Sequence, residues 1–283
     1  MILVDLNQVM ISNMMMQIGN HQNAQVDESM VRHMVLNSLR FNRRRFLDQY
    51  GELIICADDT NYWRKSLFPY YKASRKKDRQ ESELDWNAIF TALNNVRDEL
   101  KTFFPYKVIQ IDNTEADDII GTIVHKEGTV LNTGEPILIL SGDKDYTQLH
   151  TYGNVDQWDP VRKRWIKHSD PEKYLAEHIV KGDRGDGIPN ALSPDNCLVI
   201  GERQKKLTQK RLELFQDINN LDETTRRNWE RNRMLIDLSQ VPASIQKRIL
   251  DEYKKENDKD RSQLLNYFIK NKLKFLMESI QDF

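Results

Sequence analysis

ELIICADD, Glu52 to Asp59, decides how the chain is read: a run of branched apolar residues too short for a helix, ending in two carboxylates. Such a run, with no polar face to spare, is a strand buried on both sides, as in parallel sheets. Met1 to Asp5 (MILVD) and Pro136 to Leu140 (PILIL) have the same form. Between the first two strands, Met30, Met34, Leu36, Leu39, Phe41 and Phe46 recur at helical spacing over Asp27 to Tyr50, until Gly51 stops the helix. Ser82 to Phe104 is a second helix, with Trp86, Ile89, Phe90, Leu93, Val96, Leu100 and Phe103 along one face and Pro105 after it. Tyr106 to Ile111 returns to strand, and Glu115 to His125 is helical with Ile119, Ile120, Ile123 and Val124 inward. Strand and helix alternate. The expected class is therefore α/β: a mostly parallel central sheet with helices on both faces, and ligands beyond the carboxyl ends of the strands.

After about Asp170 the strand signal fades, and Asp170 to Val180, Leu221 to Ile236 and Ser262 to Ile280 read as helices. The expected organisation is a core over residues 1–180 and a helical C-terminal region over 181–283, divided by a shift in composition. The 283 residues are 39% hydrophobic and 30% charged, as in an ordinary globular protein. No apolar run approaches the roughly 20 residues that span a bilayer. Met1 leads straight into a strand, with no leader pattern, so a cytoplasmic setting is expected. Cys56 and Cys197 have neither CxxC spacing nor histidine companions, which disfavours both disulfides and zinc. P-loop, dinucleotide-binding, HExxH and GxSxG patterns are all absent.

The net charge of −1 hides a strong asymmetry. Asp5 ends the first strand, Asp58 and Asp59 follow the second, and Asp143 and Asp145 follow the Pro136 strand. Glu115, Asp117 and Asp118 open a helix beyond the Tyr106 strand. Any one of these is more often a turn former or cap than a ligand. Acids at four strand ends on one edge are harder to explain that way. Gathered there, they would repel one another and hold their protons unless cations neutralised them. An all-oxygen set selects hard ions, Mg²⁺ above all, with Mn²⁺ as a substitute. Two such ions about 4 Å apart serve phosphodiester hydrolysis without a histidine base.

Directly after Asp59 comes TNYWRKSLFPYYKASRKKDRQES, Thr60 to Ser82. Within it Arg64 to Arg79 carries seven basic residues against one aspartate, interleaved with Tyr62, Trp63, Phe68, Tyr70 and Tyr71. Cations neutralise phosphates and aromatic faces stack bases, so the strip reads as a single-stranded nucleic-acid channel rather than a solvated loop. Lys181 to Asn190 (KGDRGDGIPN) is a tight turn that adds Asp183 and Asp186, and GERQKK follows at Gly201.

MILVDLNQ, ICADD followed by YWR and YYKASR, TEADD, LSGDKDYTQL and KGDRGDGIP occur in the order typical of 5′-nucleases. Over residues 1 to about 190 the chain resembles the 5′-nuclease (flap endonuclease) family. FLDQYGELIICADDTNYWRK, LNYFIKNKL and the final SIQDF are similar to its T-even phage ribonuclease H branch, extending the resemblance almost to the C-terminus. It implies a PIN-like 5′-nuclease core with a basic helical arch over residues 60–82, and a helical C-terminal part with a helix-hairpin element. It also implies Mg²⁺-dependent 5′-to-3′ exonuclease and flap endonuclease activity that removes RNA primers and adjoining DNA in lagging-strand replication. The setting would be the host cytoplasm if the chain is phage-encoded. By motif, Asp5, Asp58, Glu115, Asp117, Asp118 and Asp143 would form a first metal site, completed at a second by Asp145 and Asp186. Lys72 and Arg75 would contact the scissile phosphate, Tyr71 would stack on a base, and Arg64 and Lys76 would guide the strand. The turn at Gly182, Arg184 and Gly185 would grip duplex backbone around a monovalent cation.

The implied partners are DNA with 5′ flaps, nicks or RNA primers, RNA–DNA hybrid and a single-stranded-DNA-binding protein, engaged by a monomer. The chain lacks the N-terminal extension that could carry sliding-clamp contacts in that branch, which gives a clamp contact little support. Two departures from this reading are considered. A haloacid-dehalogenase-type phosphatase would need Asp-x-Asp on the first strand, where Asp5-Leu-Asn stands. A non-catalytic nucleic-acid-binding scaffold would keep the acids for metal-stabilised structure.

Overall fold

The computed structural model describes residues 1–18, 27–128 and 134–283. In chain order the elements are β1 (Ile2–Asp5), α1 (Leu6–Ile18), α2 (Glu28–Tyr50), β2 (Leu53–Cys56), α3 (Trp63–Leu67), α4 (Ser74–Gln80), α5 (Trp86–Phe103), β3 (Lys107–Ile109), α6 (Ala116–Glu127), β4 (Ile137–Leu140), β5 (Val155–Asp159), β6 (Arg164–Ile166), α7 (Pro171–Lys181), α8 (Gln209–Glu213), α9 (Glu223–Ile236), α10 (Ala243–Lys254), α11 (Leu264–Lys270) and α12 (Lys274–Met277). A 3₁₀ segment, Lys144–Thr151, follows β4.

One six-stranded sheet has the order β3-β2-β1-β4-β5-β6, parallel except for β6 at its edge. Alternate residues feed opposite faces, as the twofold period of a strand requires. Ile2 and Val4 of β1 join one core with Leu138 and Leu140, while Leu3 joins the other with Ile137 and Ile139. Helices cover both faces, so the solid apolar runs are accounted for. The helical C-terminal residues complete both cores: Tyr267, Phe268 and Phe283 pack on the first, and Leu238, Ile245 and Ile249 on the second. Among the described residues no helix is long and apolar enough to cross a membrane.

Caps fix the helix limits. Asp27 accepts from the Ser29 amide ahead of α2, and Gly51, at φ 81°, returns its N–H to the Leu47 carbonyl. Asp85 caps α5 through the Ala88 amide, so that helix starts at Trp86 rather than Ser82. The expected Ser262 to Ile280 helix is broken: α11 ends at Lys270 and Lys272 takes φ 57° before α12. β5 and β6 also went unread. VDQWD and RWI lie near a sheet edge and mix charged and polar residues with apolar ones in no regular period, so they lack both the apolar run of a central strand and the alternation of a half-buried one.

Candidate metal centre

Parallel strands deliver their ends to one rim, and the rim is where the acids meet. Asp5 closes β1, Asp58 lies just past β2, Asp143 just past β4, and the start of α6 rises there after β3. Asp5, Asp58, Glu115, Asp117 and Asp143 line a cleft of about 240 Å³, shared with Asn7, Gln8, Lys72 and Arg75. Asn7 and Gln8, unassigned from sequence, belong to the first turn of α1 and steady the acids. The Asn7 amide donates to Asp58 Oδ2 at 2.9 Å, and the Gln8 backbone N–H donates to Asp5 Oδ1 at 3.1 Å.

The electrostatics follow from crowding out of water. Burial, then the charge of Asp58, pushes the Asp5 carboxyl up to about 7, although the Tyr146 hydroxyl donates to it at 2.9 Å. Burial, then Glu115, raises Asp58 to about 6 against the Ala116 N–H at 2.7 Å. Burial also raises Asp117 and Asp143. Glu115 goes the other way: its burial is outweighed by Lys72 and Arg64, which hold it below the usual carboxylate range. Asp117 Oδ1 is buried without a hydrogen-bond partner. Acids that retain protons, one with a buried oxygen that no hydrogen bond satisfies and that lies 3.6 Å from the Arg64 guanidinium, are short of positive charge, and an oxygen-only donor set fits a hard divalent ion.

A pH dependence of stability follows. Asp5, Asp58 and Asp145 have folded values of about 7, 6 and 7, above the unfolded value, so the folded chain binds more protons between about pH 4 and 7. The stability this confers is present below that window and is lost as pH rises through it. Glu115 and Asp183, held low, act in the opposite sense but only at more acid pH. Melting in EDTA is expected to fall by several degrees from pH 5 to pH 8, and added Mg²⁺ to raise it more at pH 8 than at pH 5. A Mg²⁺ effect equal at both values would contradict the cluster's shared charge.

The basic strip meets the acids from the other side. Lys72 pairs with Glu115 and lies 3.5 Å from Asp186 Oδ2, and Arg75 pairs with Asp186. Lys72 stands at φ 54°, a left-handed backbone that few non-glycine residues adopt, and its N–H donates to the Asp186 carbonyl at 2.7 Å. Strip and turn therefore pack as one piece. At Gly187, φ 74°, a Cβ would come within 2.7 Å of the Tyr70 carbonyl oxygen, so only glycine permits the contact.

Several expectations need correction. Arg64 is 1% exposed and offers nothing to a passing strand. Its guanidinium meets Glu115 Oε2 at 3.0 Å and Asp118 Oδ1 at 2.8 Å and donates from Nε to the Leu235 carbonyl. Tyr71 is 2% exposed, so it cannot stack on a base here, and its hydroxyl serves Glu115 and Asp186 at 2.8 and 3.1 Å. The strip's aromatics form a small core instead, in which Phe68 and Tyr71 pack with Ile179, Ile188, Leu235 and Ile236. Asp118 is buried outside the cleft lining, yet one of its carboxylate oxygens lies within 4.8 Å of ligand atoms of Glu115 and Asp117, so those three acids could share an ion. Beyond the Arg64 pair, its Oδ2 accepts from Trp63 Nε1 at 3.1 Å and from the Glu115 backbone N–H at 3.0 Å. Asp59, which follows the second strand beside Asp58, caps a turn through the Asn113 N–H at 2.8 Å.

Lys76, Arg184 and Gly185 are exposed, and Gly182 is half-buried at φ 68°. Asp145, pushed up to about 7 by burial and then by Asp143, lies beside His178 rather than in the cleft lining. Asp186 turns to Tyr71, Lys72 and Arg75. His178 was missed. Its only signal was its place five residues ahead of Asp183 in EHIVKGD.

Comparison with known proteins agrees with this layout. Residues 1–179 match the family model of the 5′-3′ exonuclease N-terminal resolvase-like domain, and residues 169–283 match that of the T4 RNase H C-terminal part. The chain is 34% identical to the ribonuclease H of Enterobacteria phage T4 over 99% of its own length and 95% of that protein. It is 29% identical to the flap endonuclease Xni of Shewanella woodyi over 59% of this chain and 61% of that one. Among solved structures, the bacteriophage T5 D15 flap endonuclease in complex with DNA and metal ions shares the fold at TM-score 0.62 and 16% identity, covering 90% of this chain and 99% of that one. The T5 5′-exonuclease with bound zinc has TM-score 0.62 at 15% identity, covering 90% and 98%.

Proposed function

We propose, for a chain that belongs to the 5′-3′ exonuclease family, that it is a Mg²⁺-dependent nuclease hydrolysing phosphodiester bonds near the 5′ end of flapped, nicked or RNA-primed DNA. One observation carries this reading: five carboxylates from distant stretches and two strip cations, Lys72 and Arg75, border the same small cleft. Asp5, Asp58, Glu115, Asp117 and Asp143 would hold one ion, with Asp145 and Asp186 toward a second. Such ions supply an activated water and stabilise the departing oxygen.

The chain's own groups do the rest. Asn7, Gln8 and Tyr146 fix the carboxylates, and Arg64 and Tyr71 hold Glu115 from behind. Lys72 and Arg75 sit where a phosphate would gain charge, with Lys76 beyond them on the exposed side. The exposed Arg184 and Gly185 extend the same reading to a grip on duplex backbone, with a monovalent cation in the Gly182 turn. The family membership speaks against a phosphatase or an inert scaffold.

End-labelled substrates carrying a flap, a nick, a gap or an RNA primer, incubated with and without Mg²⁺, test the proposal. Cleavage near the 5′ end only with the ion is expected, and no cleavage of any of them would overturn it. Lys72→Ala is expected to slow the single-turnover rate by on the order of 10²-fold while changing substrate affinity little. A pure affinity loss would place Lys72 outside the reacting phosphate.

A further inference from the structure

Beside the cleft, three side chains meet that the nuclease reading uses only in part. Asp145 lies in the first turn of the 3₁₀ segment, His178 in the last turn of α7, and Asp183 in the turn beyond it. One ligand atom from each lies within 4.8 Å of the other two. His178 is 7% exposed, and its two nitrogens are used unequally. Nε2 faces Asp183 Oδ2 at 3.2 Å. Nδ1 has no hydrogen-bond partner and lies 3.7 Å from Asp145 Oδ1, itself buried and unpartnered.

The 3.7 Å between Nδ1 and Asp145 Oδ1 is too long for a hydrogen bond. An imidazole that ligates through Nδ1 would carry its proton on Nε2 and donate it to Asp183. Nitrogen and oxygen ligands of one ion, each about 2.0–2.2 Å from it, stand roughly 3–4 Å apart, which is the separation found. A carboxylate behind the ring is the usual device for fixing the tautomer of a ligating histidine. Asp183 suits that part because it is already occupied: its Oδ1 accepts from the Gly185 and Asp186 N–H groups at 2.8 and 3.2 Å, and Lys144 pairs with its Oδ2 at 2.8 Å.

We propose that His178 Nδ1 and Asp145 Oδ1 ligate one divalent ion, that Asp183 orients the imidazole, and that this nitrogen biases the position toward a first-row transition ion such as Mn²⁺ over Mg²⁺. The inference rests on the nuclease reading for the presence of ions. It adds a nitrogen ligand to a site otherwise built from carboxylates.

Pulsed electron paramagnetic resonance of the full chain loaded with Mn²⁺ reads the nitrogen directly. Modulation from a coordinated imidazole ¹⁴N is expected in the unaltered protein and lost in His178→Gln, which should also bind Mn²⁺ on the order of 10-fold more weakly while its Mg²⁺ affinity changes far less. Mn²⁺ bound without nitrogen coupling in the unaltered protein overturns the inference and leaves the nuclease reading standing. Coupling that persists in His178→Gln also overturns it. Failure of the chain to bind either ion overturns both. If His178→Gln does not fold, His178→Ala is read in the same way, and absence of coupling in the unaltered protein overturns the inference by itself.

Discussion

Asp58→Asn is expected to lower turnover on a 5′-flapped duplex by on the order of 10³-fold in Mg²⁺. The amide keeps the volume of the carboxylate and can still accept the Ala116 N–H, now made at 2.7 Å, so the start of α6 stays in place. What disappears is a negative ligand at the centre of the cleft, between Asp5 and Glu115 in the chain of mutual charge effects. Affinity for the flapped duplex, measured in EDTA, should hold or tighten, since one repulsive charge has gone. Asp59→Asn is the matched control. It makes the same change one residue along, in a half-exposed turn cap, and turnover should stay at the unaltered level. Full activity in Asp58→Asn, or equal losses in the two variants, would break the link between the acid cluster and cleavage.

The largest effect on stability is expected at Arg64. Arg64→Met keeps an unbranched side chain but strips the cation from a pocket that holds Glu115 and Asp118, with Asp117 3.6 Å away. Breaking a buried ion pair from one side costs about 3–5 kcal/mol, because the remaining charge stays behind uncompensated. In a chain of this size that lowers the melting temperature by on the order of 10 °C. The sign of the pH dependence is fixed as well. Without the guanidinium these carboxyls take higher folded values, so the variant's deficit is largest above about pH 7 and shrinks toward pH 5, where they bind protons. Thermal melts of both proteins at the two pH values check this. A small, pH-independent deficit would mean that Arg64 merely fills space.

Much of this was legible because of how the strands are buried. β1, β2 and β4 leave solid apolar runs, and the acids come within a few residues of their ends, so both the sheet and its active rim could be read from the sequence. Asp58 and Asp59 show what a finer reading would have given. Neighbours on extended chain point opposite ways, so only one of the pair could face the cleft. The strip was harder. Composition puts aromatics beside cations but does not say which way they turn, and the partners of Phe68 and Tyr71 lie more than a hundred residues later, at Ile179, Ile188, Leu235 and Ile236. His178 was invisible for the same reason. Its companion Asp145 sits on another element, and only the packing of α7 against the 3₁₀ segment brings them together.

The anchoring of the strip has a mechanical corollary. Arg64 nails its near end to the carbonyl of Leu235 and to the head of α6, and the amide of Lys72 fastens its middle to the Asp186 turn. The far end is tied where Asp85 starts α5. Arg75, paired with Asp186, extends the fastening at the Asp186 turn, so any swing that admits or releases a strand is confined to a short span from about Lys76 to Glu83, a door leaf of little more than α4 hung between two fixed posts.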